Sequence, residues 1–232
     1  MNKESGDSSS RDFSSRDYWE KRYESGRNSG AGSYGRLAQF KAHFLNSFFS
    51  LNAVSSAVEL GCGDGNQLSL LKIEKYTGID VSRAAVEKCR GMFSDRPNFN
   101  FMTERQGMRV PLHDVALSLD VVFHLVEDAV FAKYINRLFK LSTRFVVIYS
   151  SNYDGHWSSV HVRHRNFTSF ITGRYPSWTL ACSVPNIFPY DSADVNNTSF
   201  SDFFIFRRGG EKCMVEIPSS SPEVSIPASP TL

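Results

Sequence analysis

Hydrophobic and polar residues alternate along the chain with two different periods. Within residues 37–48, apolar side chains recur at three- and four-residue spacing, which predicts an amphipathic helix. Residues 145–150 form a short continuous apolar run, which is typical of a central strand covered on both faces. Other segments predict helices at 18–24, 67–71, 83–93, 129–141 and 167–174, and strands at 57–60, 76–79, 98–102, 115–119, 178–184 and 200–207.

The order of these elements predicts a single α/β domain. Strands and helices alternate from residue 57 onward, which favours a parallel, doubly wound sheet with helices on both faces. The last two strands can form an antiparallel hairpin around a polar loop. We predict a disordered tail at 1–16, N-terminal cap or lid helices at 17–50, the sheet core at 51–208 and a flexible tail at 209–232.

The turn after the first strand carries the strongest chemical signal. It reads ELGCGDG at residues 59–65, and glycines at alternate positions let the backbone approach a ligand closely. The next strand ends at Asp80, where a carboxylate can accept hydrogen bonds from both hydroxyls of a ribose. A dinucleotide site would have a further glycine in place of Asn66. The acidic Glu59 and Asp64 also suit a cationic ligand better than a pyrophosphate.

These motifs resemble the class I S-adenosylmethionine-dependent methyltransferases. The resemblance lies in VELGCGDGNQ (58–67) followed by YTGIDVS (76–82), with DVALSLDVVFHLVED (114–128) similar to the fourth-strand motif and FVVIYSSN (145–152) to the fifth strand. YWEKRY (18–23) is similar to an N-terminal element that closes over the cofactor. The resemblance spans residues 18–208 and implies a Rossmann-like, seven-stranded sheet, mostly parallel with an antiparallel last strand. It also implies S-adenosylmethionine as the methyl donor, S-adenosylhomocysteine as the product, and no required metal.

The resemblance further implies which residues contact the cofactor. Residues 61–65 would border its methionine and ribose parts, Asp80 would hold the ribose hydroxyls, and Val81 would pack on the adenine. An aspartate is common after the third strand, where this chain offers Thr103 and Glu104 instead. The predicted cofactor-binding residues are Trp19, Glu59, Gly61, Cys62, Gly63, Asp64, Gly65, Asp80, Val81, Thr103, Glu104, Leu119 and Asp120.

Two residues after the fourth strand are predicted to be catalytic. Methyl transfer is an in-line displacement, so the enzyme must align the reacting atoms and exclude water. Asp120 and His124 lie four positions apart and would share one face of a helix. A histidine suits the removal of a proton from an alcohol near neutral pH. The alternative is that His124 only packs in the core and supports the cofactor.

The segment after the fifth strand predicts an acceptor site. Three histidines and two arginines fall within residues 156–165, and guanidinium groups pair well with carboxylates and phosphates. This pattern favours an acidic acceptor, although a solvated basic loop is the alternative. The glycine-rich residues 28–36 could form a lid that orders when ligands bind, or a simple linker. The predicted substrate-binding residues are Tyr34, Arg36, His156, His161, Arg163 and His164.

Composition narrows the class of acceptor. The 232 residues carry a formal net charge of only +2, which is too little for a strong nucleic-acid footprint. Since the chain is close to a minimal domain, we expect a small-molecule acceptor, methylated on a hydroxyl, an amine or a carboxylate. An NAD(P)-dependent oxidoreductase and a catalytically silent methyltransferase-like subunit with a protein partner are the alternatives.

Composition also bears on location and assembly. No apolar stretch reaches the roughly 18 residues of a membrane span, and the first residues lack the apolar segment of a signal peptide. The four cysteines are far apart and form no CxxC pair, which favours a reducing compartment. We therefore predict a cytoplasmic protein without nucleic-acid or membrane partners, present as a monomer or weak homodimer.

Overall fold

The computed structural model describes residues 13–104 and 109–217. The helices are α1 (Ser15–Glu24), α2 (Gly35–Leu51), α3 (Arg83–Met92), α4 (Asp128–Lys140) and α5 (Phe167–Ile171). The strands are β1 (Ser56–Leu60), β2 (Lys75–Asp80), β3 (Phe99–Thr103), β4 (His113–Leu119), β5 (Ser142–Ser150), β6 (Gly155–His156), β7 (Arg163–His164), β8 (Trp178–Val184) and β9 (Asp202–Arg208). Short 3-10 turns cover Ala31–Ser33, Leu68–Leu70 and Val122–His124. In the described ranges, no helix is both long and apolar enough to cross a bilayer.

Seven of these strands form one sheet in the order β3-β2-β1-β4-β5-β9-β8. Strands β1 to β5 pair in parallel, whereas β9 is antiparallel to both β5 and β8. The predicted Rossmann-like, doubly wound sheet with an antiparallel last strand is therefore confirmed. The strand order reverses between β1 and β4, so the carboxyl ends of these strands border the crevice where such sheets bind ligands.

Aromatic side chains cover both faces of the sheet. On one face α2 packs against β5 and β9, with Phe44 stacked on Phe203 at 4.1 Å between ring centroids. On the other face Phe139 of α4 meets Phe206 of β9 at 5.3 Å. Burying each such side chain contributes about 1.5–3 kcal/mol. The two helix layers are therefore held firmly against the sheet that carries the crevice at its edge. The predicted stripe of α2 is buried as expected, and it includes one charged residue, Lys41.

The folded part is longer at both ends than the sequence predicts. Helix α1 begins at Ser15, before the predicted boundary at 17, because the Ser14 hydroxyl accepts a hydrogen bond from the Asp17 amide and caps it. After β9 the chain packs back against α2, where the Met214 amide donates to the Asn52 side chain at 2.9 Å. Residues 1–12 and 218–232 of the two predicted tails lie outside the described residues.

Helix α5 is shorter than the 167–174 predicted from its pattern. It ends at Ile171, and Gly173 has a φ of +82°, in the left-handed region that terminates helices. The predicted helix at 67–71 is likewise only a 3-10 turn. Neither difference moves the strands that border the crevice.

Candidate active site

A cavity of about 380 Å³ lies at the carboxyl ends of β1, β2 and β4, where the strand order reverses. His124 lies in its wall. Most predicted cofactor residues also line it, namely Trp19, Glu59, Gly61, Cys62, Gly63, Asp64, Asp80, Val81, Glu104, Leu119 and Asp120. Gly65 and Thr103 do not contribute to the wall. Among the lining residues that the sequence interpretation missed, one group comes from α1 and from α4 and its preceding loop: Ser15, Arg16, Glu127, Lys133, Tyr134 and Arg137.

The glycines of the turn after β1 have two different structural roles. Gly61, Gly63 and Gly65 all adopt positive φ, which other residues rarely tolerate. A Cβ added to Gly63 would lie 2.3 Å from the Ser29 hydroxyl, so this glycine lets the N-terminal segment close over the turn. A Cβ on Gly65 would instead lie 2.9 Å from the Phe93 ring, so Gly65 faces α3 rather than the cavity.

Asp80 connects the end of β2 to the glycine turn. Its Oδ2 accepts a hydrogen bond from the Gly63 amide at 2.9 Å, and its Oδ1 accepts one from the Ser82 amide at 2.9 Å. Each carboxylate oxygen keeps a lone pair for a further donor. Burial raises the pKa of Asp80 to about 6, although these backbone hydrogen bonds oppose the rise.

A second buried carboxyl lies at the end of β1. Tyr76 donates its hydroxyl proton to Glu59 Oε2 at 2.5 Å. Burial raises the pKa of Glu59 to about 7, with the Tyr76 hydrogen bond and the Lys41 charge opposing the rise. The raised pKa means that burial penalises the negative charge of Glu59, so a cationic ligand beside this carboxyl would be favoured.

The segment between α1 and α2 is tied onto the glycine turn. Asp64 Oδ2 accepts hydrogen bonds from the Tyr34 hydroxyl at 2.6 Å and from the Ser29 amide at 3.2 Å. The Asp64 amide donates in return to the Ser29 hydroxyl at 3.0 Å. Although burial alone would raise the pKa of Asp64, these hydrogen bonds lower it overall and keep the carboxylate charged. Tyr34, a predicted substrate residue, therefore fixes Asp64 from outside the cavity wall.

Helix α1 closes one side of the cavity through contacts with distant parts of the chain. Arg16 pairs with Glu104 at 2.6 Å, and the Ser15 amide donates to Glu127 at 2.9 Å. Tyr18 stacks on His161 with 4.5 Å between ring centroids. The helix thus covers the cavity by contacts with three separate loops, which makes it suited to exclude water.

Asp120 is held by two partners that the sequence pattern did not indicate. Its Oδ2 lies 2.5 Å from the Nζ of Lys41, whose side chain is fully buried in α2. Its Oδ1 accepts a hydrogen bond from the Ser201 hydroxyl at 3.0 Å. Asp120 also has a φ of +57°, so the predicted helical face shared with His124 does not form. The predicted catalytic carboxylate is an oriented, ion-paired group rather than a free base.

His124 is the last residue of the 3-10 turn after β4, and one of its two ring nitrogens can accept a hydrogen bond. Its Nδ1 lies 2.9 Å from the carbonyl oxygen of His161. A carbonyl only accepts hydrogen bonds, so we assign the proton to Nδ1 and a lone pair to Nε2 of the neutral ring. Burial lowers the pKa of His124 to about 3, so the ring is neutral at physiological pH. The ring also packs edge-on against Trp19 at 4.8 Å.

The arginines predicted to bind an acidic acceptor are engaged within the protein. Arg163 pairs with Asp128 at 3.0 Å and donates to the Val126 carbonyl, and Arg165 pairs with the same carboxylate at 2.9 Å. Arg36 donates to the Asn197 carbonyl at 2.7 Å and lies over the Phe188 ring. The acidic acceptor therefore gains no support from these guanidinium groups.

Of the predicted histidines of this segment, His161 and His164 do not line the cavity. The ring of His161 is placed between Tyr18 and His124. His164 is buried beneath Tyr153, and His156 belongs to the short strand β6. No His, Cys, Asp or Glu cluster able to hold a metal ion occurs in the part of the chain that the structure describes.

Comparison with known proteins agrees with this geometry. A family model described as "Methyltransferase domain" matches residues 58–147, which run from the glycine turn to β5. No protein of curated function matches the sequence.

Several solved methyltransferases have the same fold as this chain. The N-methyltransferase NodS from Bradyrhizobium japonicum WM9, in complex with S-adenosylhomocysteine, is 15% identical with a TM-score of 0.63, covering 84% of this chain and 98% of that chain. Magnesium protoporphyrin IX methyltransferase from Synechocystis PCC 6803, also with S-adenosylhomocysteine, is 14% identical with a TM-score of 0.59, covering 84% and 98%. The CcbJ methyltransferase from Streptomyces caelestis is 13% identical with a TM-score of 0.55, covering 85% and 100%. Residues 58–147 of the chain therefore match a methyltransferase domain, and the described sheet has the same Rossmann-like fold as these solved methyltransferases.

Proposed function

We propose that this protein is an S-adenosylmethionine-dependent methyltransferase that acts on a hydroxyl or an amine of a small molecule, with His124 receiving the acceptor's hydrogen bond. One observation carries the proposal: the neutral His124 ring, whose Nδ1 is fixed as a donor, lies in the wall of the cofactor cavity. A carboxylate acceptor is disfavoured because Arg163 and Arg165 are paired with Asp128. A cytoplasmic location and a monomeric or weakly dimeric state stay predictions of the sequence.

The cavity fits S-adenosylmethionine by its shape and its charge. We assign the ribose hydroxyls to Asp80, the adenine to Val81, and the methionine part to the turn at Gly61 and Gly63, which line the cavity. When bound, S-adenosylmethionine supplies an electrophilic methyl group on a sulfonium. Glu59 provides negative charge for this cation, and a Trp19 ring facing it would add about 0.5–2 kcal/mol.

His124 orients the acceptor rather than acting as a strong base. Its Nε2 lone pair accepts the hydrogen bond of the hydroxyl or amine, which points the nucleophile's own lone pair at the methyl group. A base with a pKa near 3 does not remove a proton from an alcohol before methyl transfer has begun. The proton moves to His124 only as methyl transfer makes the acceptor acidic, and α1 excludes competing water.

Replacing His124 with asparagine tests this assignment. The asparagine amide can still donate to the His161 carbonyl, but it lacks the Nε2 lone pair, so the turn is kept and the acceptor contact is lost. We expect kcat to fall by about 10²- to 10⁴-fold, with affinity for S-adenosylhomocysteine within about threefold of wild type. Radiolabelled methyl transfer to an acceptor found by screening measures kcat, and titration calorimetry measures the affinity.

His43→Asn is the matched control, because His43 is an exposed residue on α2. It should leave both quantities unchanged. A His124→Asn variant with wild-type kcat would contradict the proposal. If wild-type protein bound NADH instead of S-adenosylhomocysteine, the result would contradict a methyltransferase and support the oxidoreductase alternative.

The raised pKa values of Asp80 and Glu59 predict pH-dependent cofactor binding. At about pH 6 Asp80 is about half protonated and Glu59 is mostly protonated, since their pKa values are about 6 and 7. A sulfonium favours the charged carboxylates, so binding of S-adenosylmethionine should release protons and tighten as the pH rises from about 5.5 to 7.5. Calorimetry in buffers of different ionisation enthalpy measures this release.

S-adenosylhomocysteine is the matched ligand control, because it lacks the sulfonium charge. Its binding should release fewer protons and change less with pH. Equal proton release for the two ligands would show that the buried carboxyls do not sense the sulfonium.

A further inference from the structure

A group of aromatic rings adjoins the cavity at the carboxyl end of β5. We call it the aromatic shelf, and its members are Phe123, Tyr153, Trp157, His164, Tyr190 and Phe200. It starts at the cavity wall, because the Phe123 ring lies 4.4 Å from the ring of His124. At a second point Ser201, which follows Phe200, donates to the cavity residue Asp120. The shelf therefore lies next to the wall of the cavity at two points.

One buried ring nitrogen of the shelf has no hydrogen-bond partner among the described residues. His164 is buried, and its Nδ1 lies 2.7 Å from the Ser151 hydroxyl, while its Nε2 has no hydrogen bond within the described ranges. The ring is surrounded by Tyr153 at 4.6 Å, Phe200 at 4.6 Å and Trp157 at 5.2 Å. A buried polar atom without a partner costs about 1–3 kcal/mol. Such an atom beside a reaction centre points to a ligand that satisfies it.

The outer rim of the shelf combines exposed ring surface with free hydroxyls. Tyr153 and Tyr190 are 45% and 40% exposed, and in the described part of the chain neither hydroxyl makes a hydrogen bond to protein. Trp157 stands nearly perpendicular to both His164 and Tyr190. In the one stacked pair of the shelf, the ring centroids of Tyr153 and His164 are 4.6 Å apart, so no ligand fits between these two rings. The shelf is thus a platform with polar edges and not a slot between parallel rings.

The charged groups near the shelf are engaged elsewhere. Arg163 and Arg165 pair with Asp128, as described above. The Asp154 carboxylate accepts from the Asn166 amide at 3.0 Å, and the Asp191 carboxylate accepts from the Ala193 amide at 2.8 Å. The six shelf residues themselves offer a ligand flat apolar surface and neutral hydrogen-bonding groups.

We infer that the aromatic shelf binds a neutral sugar ring and that the enzyme methylates one of its hydroxyls. This inference rests on the proposed function and specifies its acceptor. A pyranose offers an apolar C–H face for the rings and hydroxyls for Tyr153, Tyr190 and His164, the combination that amphipathic aromatic residues recognise. A planar aromatic acceptor would need the parallel slot that the shelf lacks. Rotation of the exposed Tyr153 ring opens the path to His164.

The reaction balances without a further reactant. The sugar hydroxyl oxygen forms a bond to the methyl carbon as the carbon–sulfur bond breaks, and that electron pair stays on sulfur. The hydroxyl proton passes to Nε2 of His124 and then to water. The products are a sugar methyl ether, S-adenosylhomocysteine and a proton.

A panel of acceptors incubated with radiolabelled S-adenosylmethionine tests the inference. It contains methyl glycosides of neutral hexoses and 6-deoxyhexoses, hexuronic acids, catechol and primary alkylamines. We expect label in neutral glycosides, and we expect Trp157→Ala and Tyr190→Ala each to raise the glycoside KM by about tenfold or more. Both variants should bind S-adenosylhomocysteine as wild type does. Trp178→Ala and Tyr175→Ala are the matched controls, since both rings pack on Phe139 and not on the shelf.

Each other outcome separates the two proposals. Label only in catechol, amines or hexuronic acids, or in no glycoside, would overturn the sugar acceptor while normal S-adenosylhomocysteine binding upheld the methyltransferase. Unchanged KM values in both shelf variants would also overturn it. Failure of wild-type protein to bind S-adenosylhomocysteine would contradict the proposed function itself.

Discussion

Replacing Lys41 with methionine should lower the free energy of unfolding by about 3–5 kcal/mol, because removing one partner of a buried ion pair leaves the other charge uncompensated. The Lys41 side chain is fully buried, and its Nζ lies 2.5 Å from Asp120, which is 16% exposed. Methionine fills a similar volume, so the loss reflects charge and not a cavity. Among the described residues, the Ser201 hydroxyl would be the one side-chain partner that Asp120 keeps.

Urea unfolding of wild type, Lys41→Met and Lys140→Met measures this effect. Lys140 is an exposed helical lysine in α4, so its replacement should change stability by less than about 0.5 kcal/mol. The double variant Lys41→Met/Asp120→Asn should recover much of the loss, because it leaves no unpaired charge and asparagine tolerates the positive φ of Asp120. Equal stability of the two single lysine variants would contradict the expectation.

The same double variant separates folding from catalysis. The Lys41–Asp120 pair joins α2 to the end of β4, and Ser201 adds the start of β9. Asp120 lines the cavity next to the aromatic shelf, so its orientation bears on both the cofactor and the acceptor. We expect the double variant to fold but to show a reduced kcat. Full activity in it would mean that the pair serves stability alone.

The fold and the cofactor cavity were predictable because their signals are local. The continuous apolar run of β5, the spacing in α2 and the glycines after β1 each act through neighbouring residues. Even here the glycine spacing does not show which element each glycine faces, since Gly65 faces α3 whereas Gly63 faces the N-terminal segment. That distinction depends on Phe93, which belongs to a different element.

The partners of the charged groups were not predictable from local pattern. Lys41 lay within an apolar stripe, and its partner Asp120 is 79 residues away. The sequence pattern predicts that Arg165 is one of two arginines able to bind an acidic acceptor. In the structure it pairs with Asp128, which is 37 residues away. The covering role of α1 depends on Arg16 and Glu104, which are 88 residues apart. The Ser14 cap was the one local signal that could have moved the start of α1 to its observed place.

Replacing Asp80 with asparagine should weaken the binding of S-adenosylhomocysteine by about 2–3 kcal/mol, or roughly 30- to 150-fold in Kd. The carboxylate accepts from the amides of Gly63 and Ser82 and retains lone pairs for the two ribose hydroxyls that we assign to it. Asparagine turns one of its oxygens into a donor, which cannot accept from a backbone amide or from a ribose hydroxyl. The substitution therefore weakens the contact with the ribose and also the hydrogen bonding of the turn that shapes the cofactor site.

Asp114→Asn is the matched control for the structural part of this loss. Asp114 Oδ2 also accepts from two backbone amides, those of Ser55 and Ser56, but it lies at the opposite end of the sheet from the cavity. Titration calorimetry should show wild-type affinity in Asp114→Asn and weak binding in Asp80→Asn, while thermal unfolding compares the stability of both. If the two variants lost affinity equally, Asp80 would support the fold without holding the ribose. If neither lost affinity, the cofactor would lie elsewhere in the cavity, and the assignment of Asp80 would be wrong.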